Sequence, residues 1–130
     1  MKIKQVSCFV ENQPGRLESA LEALKAEKIN IRALCVAETS EFGIMRMVLS
    51  DSAKGAEALR KAGFTVKETV VLQKDMPDQP GGLLDTVAKP LARAGINLEY
   101  FYAFIDPTPG TASIVLKVSD PDKAEKVMGQ

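Results

Sequence analysis

A chain of 130 residues, 45% of them hydrophobic, is long enough to bury a core either as one compact domain or as two very small ones. Lysine plus arginine equal aspartate plus glutamate at 17 each, which leaves no electrostatic footprint for nucleic acid or an anionic membrane surface. No run approaches the ~20 apolar residues of a membrane-spanning helix, and histidine, the commonest general base and metal ligand, is absent from the sequence.

Residues 3–10 read as a strand with Val6, Cys8 and Val10 on one face and Ile3 and Phe9 on the other. Residues 11–15 then turn, and over 16–28 Leu17, Ala20, Leu21 and Leu24 fall at helical spacing with charges on the opposite side. Residues 31–37 form the next strand. A polar break at Glu38, Thr39, Ser40 and Glu41 follows, then Phe42 and Gly43, where glycine can supply the backbone angles of a hairpin; 44–49 return as a strand. Ser50, Asp51 and Ser52 offer capping oxygens for a helix through Ala56, Leu59 and Ala62, and Gly63 can stop it. Residues 64–72 are strand again. Strand, helix, strand, strand, helix, strand is the ferredoxin-like βαββαβ plan, an antiparallel sheet with both helices on one face.

No glycine or proline interrupts 66–76, so the last strand of the first half is expected to run directly into the first strand of a second half, without a flexible linker. The next helical stripe, Leu84, Val87, Ala88 and Leu91 within 83–94, holds one residue more than its counterpart and contains Pro90. A kink or one-residue bulge would absorb the extra residue; a longer turn at Gly81 and Gly82 is the alternative. Residues 97–105 form an aromatic strand with Leu98, Tyr100, Tyr102 and Phe104 on one side and Phe101 and Ile105 on the other. These aromatics suit a core or a subunit interface, and one of them could line a ligand pocket. The run from Asp106 to Gly110 makes a hairpin, 112–118 return, Asp120 caps and Pro121 starts a last helix.

The chain thus reads as α+β, with two ferredoxin-like units at 1–68 and 69–130, the second lacking its last strand. One sheet edge is expected to be open or covered by a neighbouring chain, and exposed sheet faces predict a homodimer. Residues 1–5 carry no secretory signature, so the cytoplasm is the expected location. Cys8 and Cys35 lie in predicted strands without CxxC spacing and read as buried reduced thiols. No cofactor or metal is implied.

One segment organises the rest. Asn12-Gln13-Pro14-Gly15-Arg16-Leu17 returns as Asp78-Gln79-Pro80-Gly81-Gly82-Leu83, and Ile29-Asn30-Ile31 returns as Ile96-Asn97-Leu98, so one supersecondary unit is written twice. A strand passing through Pro-Gly into a helix presents free N–H groups, a ready place for a carboxylate or phosphate. The amides of Gly15, Arg16 and Leu17, and of Gly81, Gly82 and Leu83, are the candidate donors. A side chain at Gly15 or Gly81 would hold a ligand away from the backbone. Plainer readings stand beside these: Pro-Gly as a simple turn, Asn30 and Asn97 bonding neighbouring backbone, Asp78 as a helix cap, Arg16 as a solvated side chain or a mark of unequal sites.

These motifs, NQPGRL with KINI and PDQPGGL with GINL, resemble the ACT domain, a small ferredoxin-like module that binds amino acids and regulates metabolic enzymes. The resemblance covers essentially the whole chain as a tandem pair. In related domains, such as those of phosphoglycerate dehydrogenase and aspartokinases, the asparagine or aspartate two residues before Pro-Gly and the asparagine of Ile-Asn-Ile bind the effector. The resemblance therefore implies ligand-binding roles for Asn12 and Asn30, and for Asp78 and Asn97, whose oxygens can accept from an ammonium group. It implies a non-enzymatic sensor acting on a regulated enzyme. The alternatives are an acylphosphatase-like hydrolase with Arg16 as charge clamp, and an assembly subunit that binds no amino acid.

Overall fold

Val6, Cys8 and Val10 are buried while Phe9 among them is 40% exposed, so strict alternation sets which face of the first strand meets the helices. That strand is β1 (Lys2–Glu11); after it come α1 (Arg16–Ala26), β2 (Ile31–Glu38), β3 (Phe42–Leu49), α2 (Ser52–Lys61) and β4 (Thr65–Pro77). A π-helical turn (Leu84–Ala88) runs into α3 (Lys89–Arg93), followed by β5 (Leu98–Ala103), β6 (Thr111–Val118) and α4 (Pro121–Val127). The computed structural model describes residues 1–11, 13–38 and 42–129, so the expectations for Asn12, Thr39, Ser40 and Glu41 lie outside the described residues. Two compact units result, Lys4–Thr69 and Val70–Gln130 with Met1–Ile3.

In the N-terminal unit the strands neighbour one another in the order β2-β3-β1-β4, with β3 antiparallel to both β2 and β1. Val6, Cys8 and Val10 with Met45 and Met47 meet Ala20 and Leu24 of α1 and Ala56 and Leu59 of α2 in one core. The Asp51 carboxylate accepts from the Lys54 N–H at 3.0 Å and caps α2, and Gly63 ends it in the left-handed region at φ 94. Gly43 departs from the hairpin role expected of it. It is a strand residue, paired with Val10 on one side and Glu38 on the other.

The C-terminal unit repeats the plan as β4-β6-β5, again antiparallel, with Leu72, Met76, Leu116 and Val118 packed against Val87, Leu91 and Ala124. Asp120 caps α4 through the Lys123 N–H at 3.1 Å. The extra residue of the second helical segment is taken up by the π-helical turn. Its closing bond runs from the Lys89 N–H to the Leu84 carbonyl, five residues back, immediately before Pro90. Proline has no N–H to offer the ladder at that point, so the widened turn forfeits little.

Strands β2 and β5 carry a bulge at the same place, between Ile31 and Ala33 and between Leu98 and Tyr100. In β5 this corrects the expected single aromatic face. Leu98 joins the helix-covered core, whereas Tyr102 stands opposite Val115, on the other face. That other face is not bare. Tyr102, Val71, Ser113 and Val115 in this unit, and Gln5, Ser7, Ala33 and Val48 in the N-terminal unit, are all buried within the chain.

The edge left by the missing last strand is also occupied, by the chain's own first residues. The Gln73 N–H donates to the Met1 carbonyl at 2.8 Å, and the Met1 ammonium donates to the Gln73 carbonyl at 3.2 Å and pairs with Glu125 at 3.3 Å. Lys2 pairs with Asp122 of α4; this hydrogen bond, reinforced by charge, raises the lysine and lowers the carboxyl. The depressed Asp122 contributes above its ordinary range and loses that contribution as pH falls through the shifted value. The raised Lys2 loses its contribution as pH climbs past its ordinary 10.5. Both groups are solvated, so salt weakens the pair.

Removing residues 1–3 is expected to speed amide exchange at Gln73 by about tenfold or more while leaving the N-terminal unit's β3 amides protected, as local opening of an uncovered edge requires. Exchange read by NMR tests this; unchanged protection at Gln73 would contradict it.

Candidate functional site

The two Pro-Gly corners are built alike to the level of single hydrogen bonds. Gly15 and Gly81 hold φ 87 and φ 81, in the left-handed region that favours glycine. The Gln13 N–H donates to Glu11 O at 2.8 Å, and the Gln79 N–H to Pro77 O at 3.0 Å. The Arg16 N–H donates to Gln13 O at 3.3 Å, and the Gly82 N–H to Gln79 O at 3.0 Å. Each helix ladder then opens with a bond to the glycine carbonyl, from Ser19 at 3.0 Å and from Asp85 at 2.9 Å.

This pattern divides the expected donors. Arg16 and Gly82 have committed their amides to the turn. The N–H groups of Gly15, Leu17, Gly81 and Leu83 donate to no protein atom among the described residues. A Cβ built on Gly15 would meet nothing within 4 Å, and one on Gly81 would meet only the Asp85 carboxylate at 3.5 Å, so both corners are open. Leu17 and Leu83 beside them are exposed.

The corners differ where Arg16 faces Gly82 in the repeat. A Cβ at Gly82 would lie 2.4 Å from the Pro77 carbonyl oxygen, so the second corner admits only glycine there. Arg16 is not the solvated side chain of one expectation. It is half-buried, its guanidinium lies 4.6 Å from the centre of the Phe64 ring, and its buried Nε has no hydrogen-bond partner among the described residues. Burial pushes the Cys8 thiol up to about 11, against a smaller opposing pull from the Arg16 charge. Both Cys8 and Cys35 are free thiols, the first buried and the second half-buried.

Asn30 and Asn97 immediately precede β2 and β5 and lock onto the following helix entrances by a matched pair of bonds. The Asn30 N–H donates to Ser50 Oγ and the Ser50 N–H returns to Asn30 O, both at 2.9 Å. The Asn97 N–H donates to Ser119 Oγ at 3.1 Å and the Ser119 N–H returns at 3.0 Å. Their exposed side chains are not brought to the glycine corners of their own units. The 11 residues of α1 separate Asn30 from Gly15, a span of about 16 Å at ~1.5 Å per residue. Asp78 is exposed and uses its N–H on Gly110 O at 3.0 Å; the helix after it opens on Gly81, not on an Asp78 cap.

Beside the first corner lies a cavity of about 160 Å³ whose apolar walls are Val10, Leu17, Val36 and Met45. Glu11, Gln13 and Glu38 supply its polar atoms, and Gly43 completes it. Of these residues only Leu17 was a candidate from sequence. The available signal was Gly43, a glycine inside a strand pattern, which marks a bulge or a close approach. A shallower cavity of about 390 Å³ lies at the far end of α1, with Lys25, Lys28 and Asn30 on its border. Among the described residues no cluster of acidic, cysteine or histidine side chains could hold a metal ion, and no helix is long and apolar enough to cross a membrane.

The family described as an ACT domain pair matches residues 1–129. The chain belongs to that family. A protein of known structure from Bacteroides thetaiotaomicron is 37% identical to this ACT pair, with a TM-score of 0.91 over 99% of this chain and 88% of that one. The regulatory subunit of aspartate kinase from Thermus thermophilus shares the fold at 14% identity, with a TM-score of 0.68 over 99% and 91% of the two chains. Its counterpart from Thermus flavus does so at 15% identity and 0.64, over 100% and 94%. No functionally curated protein matches in sequence.

Gly82→Ala is expected to destabilise the ACT pair by about 1–3 kcal/mol, because the clash is with a backbone carbonyl that cannot rotate away. Urea unfolding measures it, and an unchanged midpoint would contradict the corner geometry. With a thiol reagent at pH 8, Cys35 is expected to react promptly and Cys8 only at the rate of unfolding. Equal fast reaction of both would contradict the burial of Cys8.

Proposed function

We propose that this ACT pair is a non-catalytic sensor, cytoplasmic in location, that binds a small free amino acid at its Pro-Gly corners and signals occupancy to an enzyme of amino-acid metabolism. The observation that carries the reading is the duplicated open corner, where the amides of Gly15 and Leu17 and of Gly81 and Leu83 have no acceptor among the described residues. Those donors take the ligand carboxylate, helped by the helix dipole at roughly 0.3–1 kcal/mol. Oxygen atoms of Asn12 and Asp78 take the ammonium group, in domains spanning 1–68 and 69–130. Asn30 and Asn97 stand a helix length from the corners of their own units, so they do not join the corner of the same unit; a homodimer would offer them the corners of a second copy. The fold shared with aspartate kinase regulatory subunits supports a regulatory role, in which occupancy shifts a partner by a coupling of ~1–3 kcal/mol. A hydrolase with Arg16 as charge clamp finds no support, since that side chain is laid over Phe64.

Calorimetric titration with the twenty amino acids tests the proposal, and saturable binding of at least one is expected. Leu17→Asp with Leu83→Asp places carboxylates where the ligand's acid end would sit. Acidic residues in a first helical turn are favourable for the fold, so the variant is expected to stay folded and lose at least tenfold in affinity, about 1.4 kcal/mol. No binding of any amino acid up to millimolar concentration would refute the sensor.

A further inference from the structure

We infer that the cavity beside Gly15 is the side-chain pocket of the sensor and that its ligand is an amino acid with a branched aliphatic side chain, an inference that rests on the amino-acid reading above. At about 160 Å³ the cavity matches the ~150 Å³ apolar hole known to accept benzene, so a side chain of about four carbons fits and an indole does not. Its walls are the apolar Val10, Leu17, Val36 and Met45. With Glu11 and Glu38 engaged by the ligand's α-ammonium, these walls leave a lysine side chain no further counter-charge, and the two carboxylates repel an aspartate side chain. Glu11 and Glu38 contribute acceptors for the ligand's ammonium, and the Leu17 amide, which donates to no protein atom among the described residues, is available to its carboxylate.

Two features of the surrounding chain are otherwise unexplained. Val36 is 54% exposed and Leu17 43%. Apolar side chains left open together around a cavity mark a place where something apolar binds. Gly43 is the second feature. It is absent from the glycines with positive φ. A Cβ there would stand 3.6 Å from the Ala37 and Val10 carbonyl oxygens and 4.0 Å from Val36 Cγ1, all ordinary contacts. Neither backbone conformation nor packing therefore demands glycine in a strand that glycine weakens. Its effect is to keep the cavity wide, and it is the residue that sets which side chain enters.

The test compares valine, leucine and isoleucine with lysine, aspartate and tryptophan by calorimetry, on the wild-type chain and on Gly43→Ala and Gly43→Val. The aliphatic amino acids are expected to bind at least tenfold more tightly than the other three. Both substitutions are expected to leave thermal unfolding unchanged or raised while weakening leucine and isoleucine tenfold or more, Gly43→Val the more severely. Preference for a charged or aromatic amino acid, or aliphatic binding indifferent to position 43, overturns the inference and leaves the sensor reading standing. Absence of binding by every amino acid overturns both.

Discussion

A glycine held near φ +80° at the end of a strand is the constraint from which the rest of each unit follows. At Gly15 and Gly81 the chain reverses within a few residues and lays a helix back over the strand it has just left. The first amides of that helix lie beyond the reach of its own ladder, and among the described residues the turn supplies an acceptor to one of them, bonded back to Gln13 or Gln79. Folding and the proposed ligand site thus draw on one local geometry. A residue with a side chain would strain the turn and also obstruct the approach to the amides.

The two copies keep this geometry and differ around it for identifiable reasons. Gly82 is forced by the Pro77 carbonyl, whereas Arg16 in the first copy is free to pack its guanidinium over Phe64. Gly95 ends the second helical segment at φ 70, and Lys28 adopts φ 57 at the matching place in the first. The cost of a lysine in that conformation is of order 1 kcal/mol. Pro90 and the π-helical turn before it let the second helix hold an extra residue while Val87 and Leu91 still reach the core.

Much of this was legible in the sequence because it depends on local pattern. Alternation in β1, the capping aspartates Asp51 and Asp120, the unbroken β4 and the extra residue near Pro90 are short-range signals, and the structure follows them. The departures come from contacts between residues far apart in the chain. No pattern near residue 1 announces that Met1 bonds Gln73 at the edge of β4. The bulge before Tyr100 flips the faces of β5, and a one-residue irregularity does not show in composition. At the site, the repeat pointed to the glycine corners, yet the cavity walls at Val36 and Met45 come from β2 and β3, whose approach to the corner is set by strand register. Asn30 and Asn97 are placed by the repeat as firmly as the corners are, but at the other end of each helix.

The functional account is therefore one of donors and acceptors fixed in advance on rigid elements, with the ligand's carboxylate substituting for acceptors that the chain withholds. Its most direct test is a titration of isotope-labelled protein with a mixture of amino acids, followed by amide resonances. The account predicts saturable movement of Gly15 and Leu17, of Gly81 and Leu83, or of both pairs. Movement confined to residues away from both corners, or none at any concentration, would contradict it.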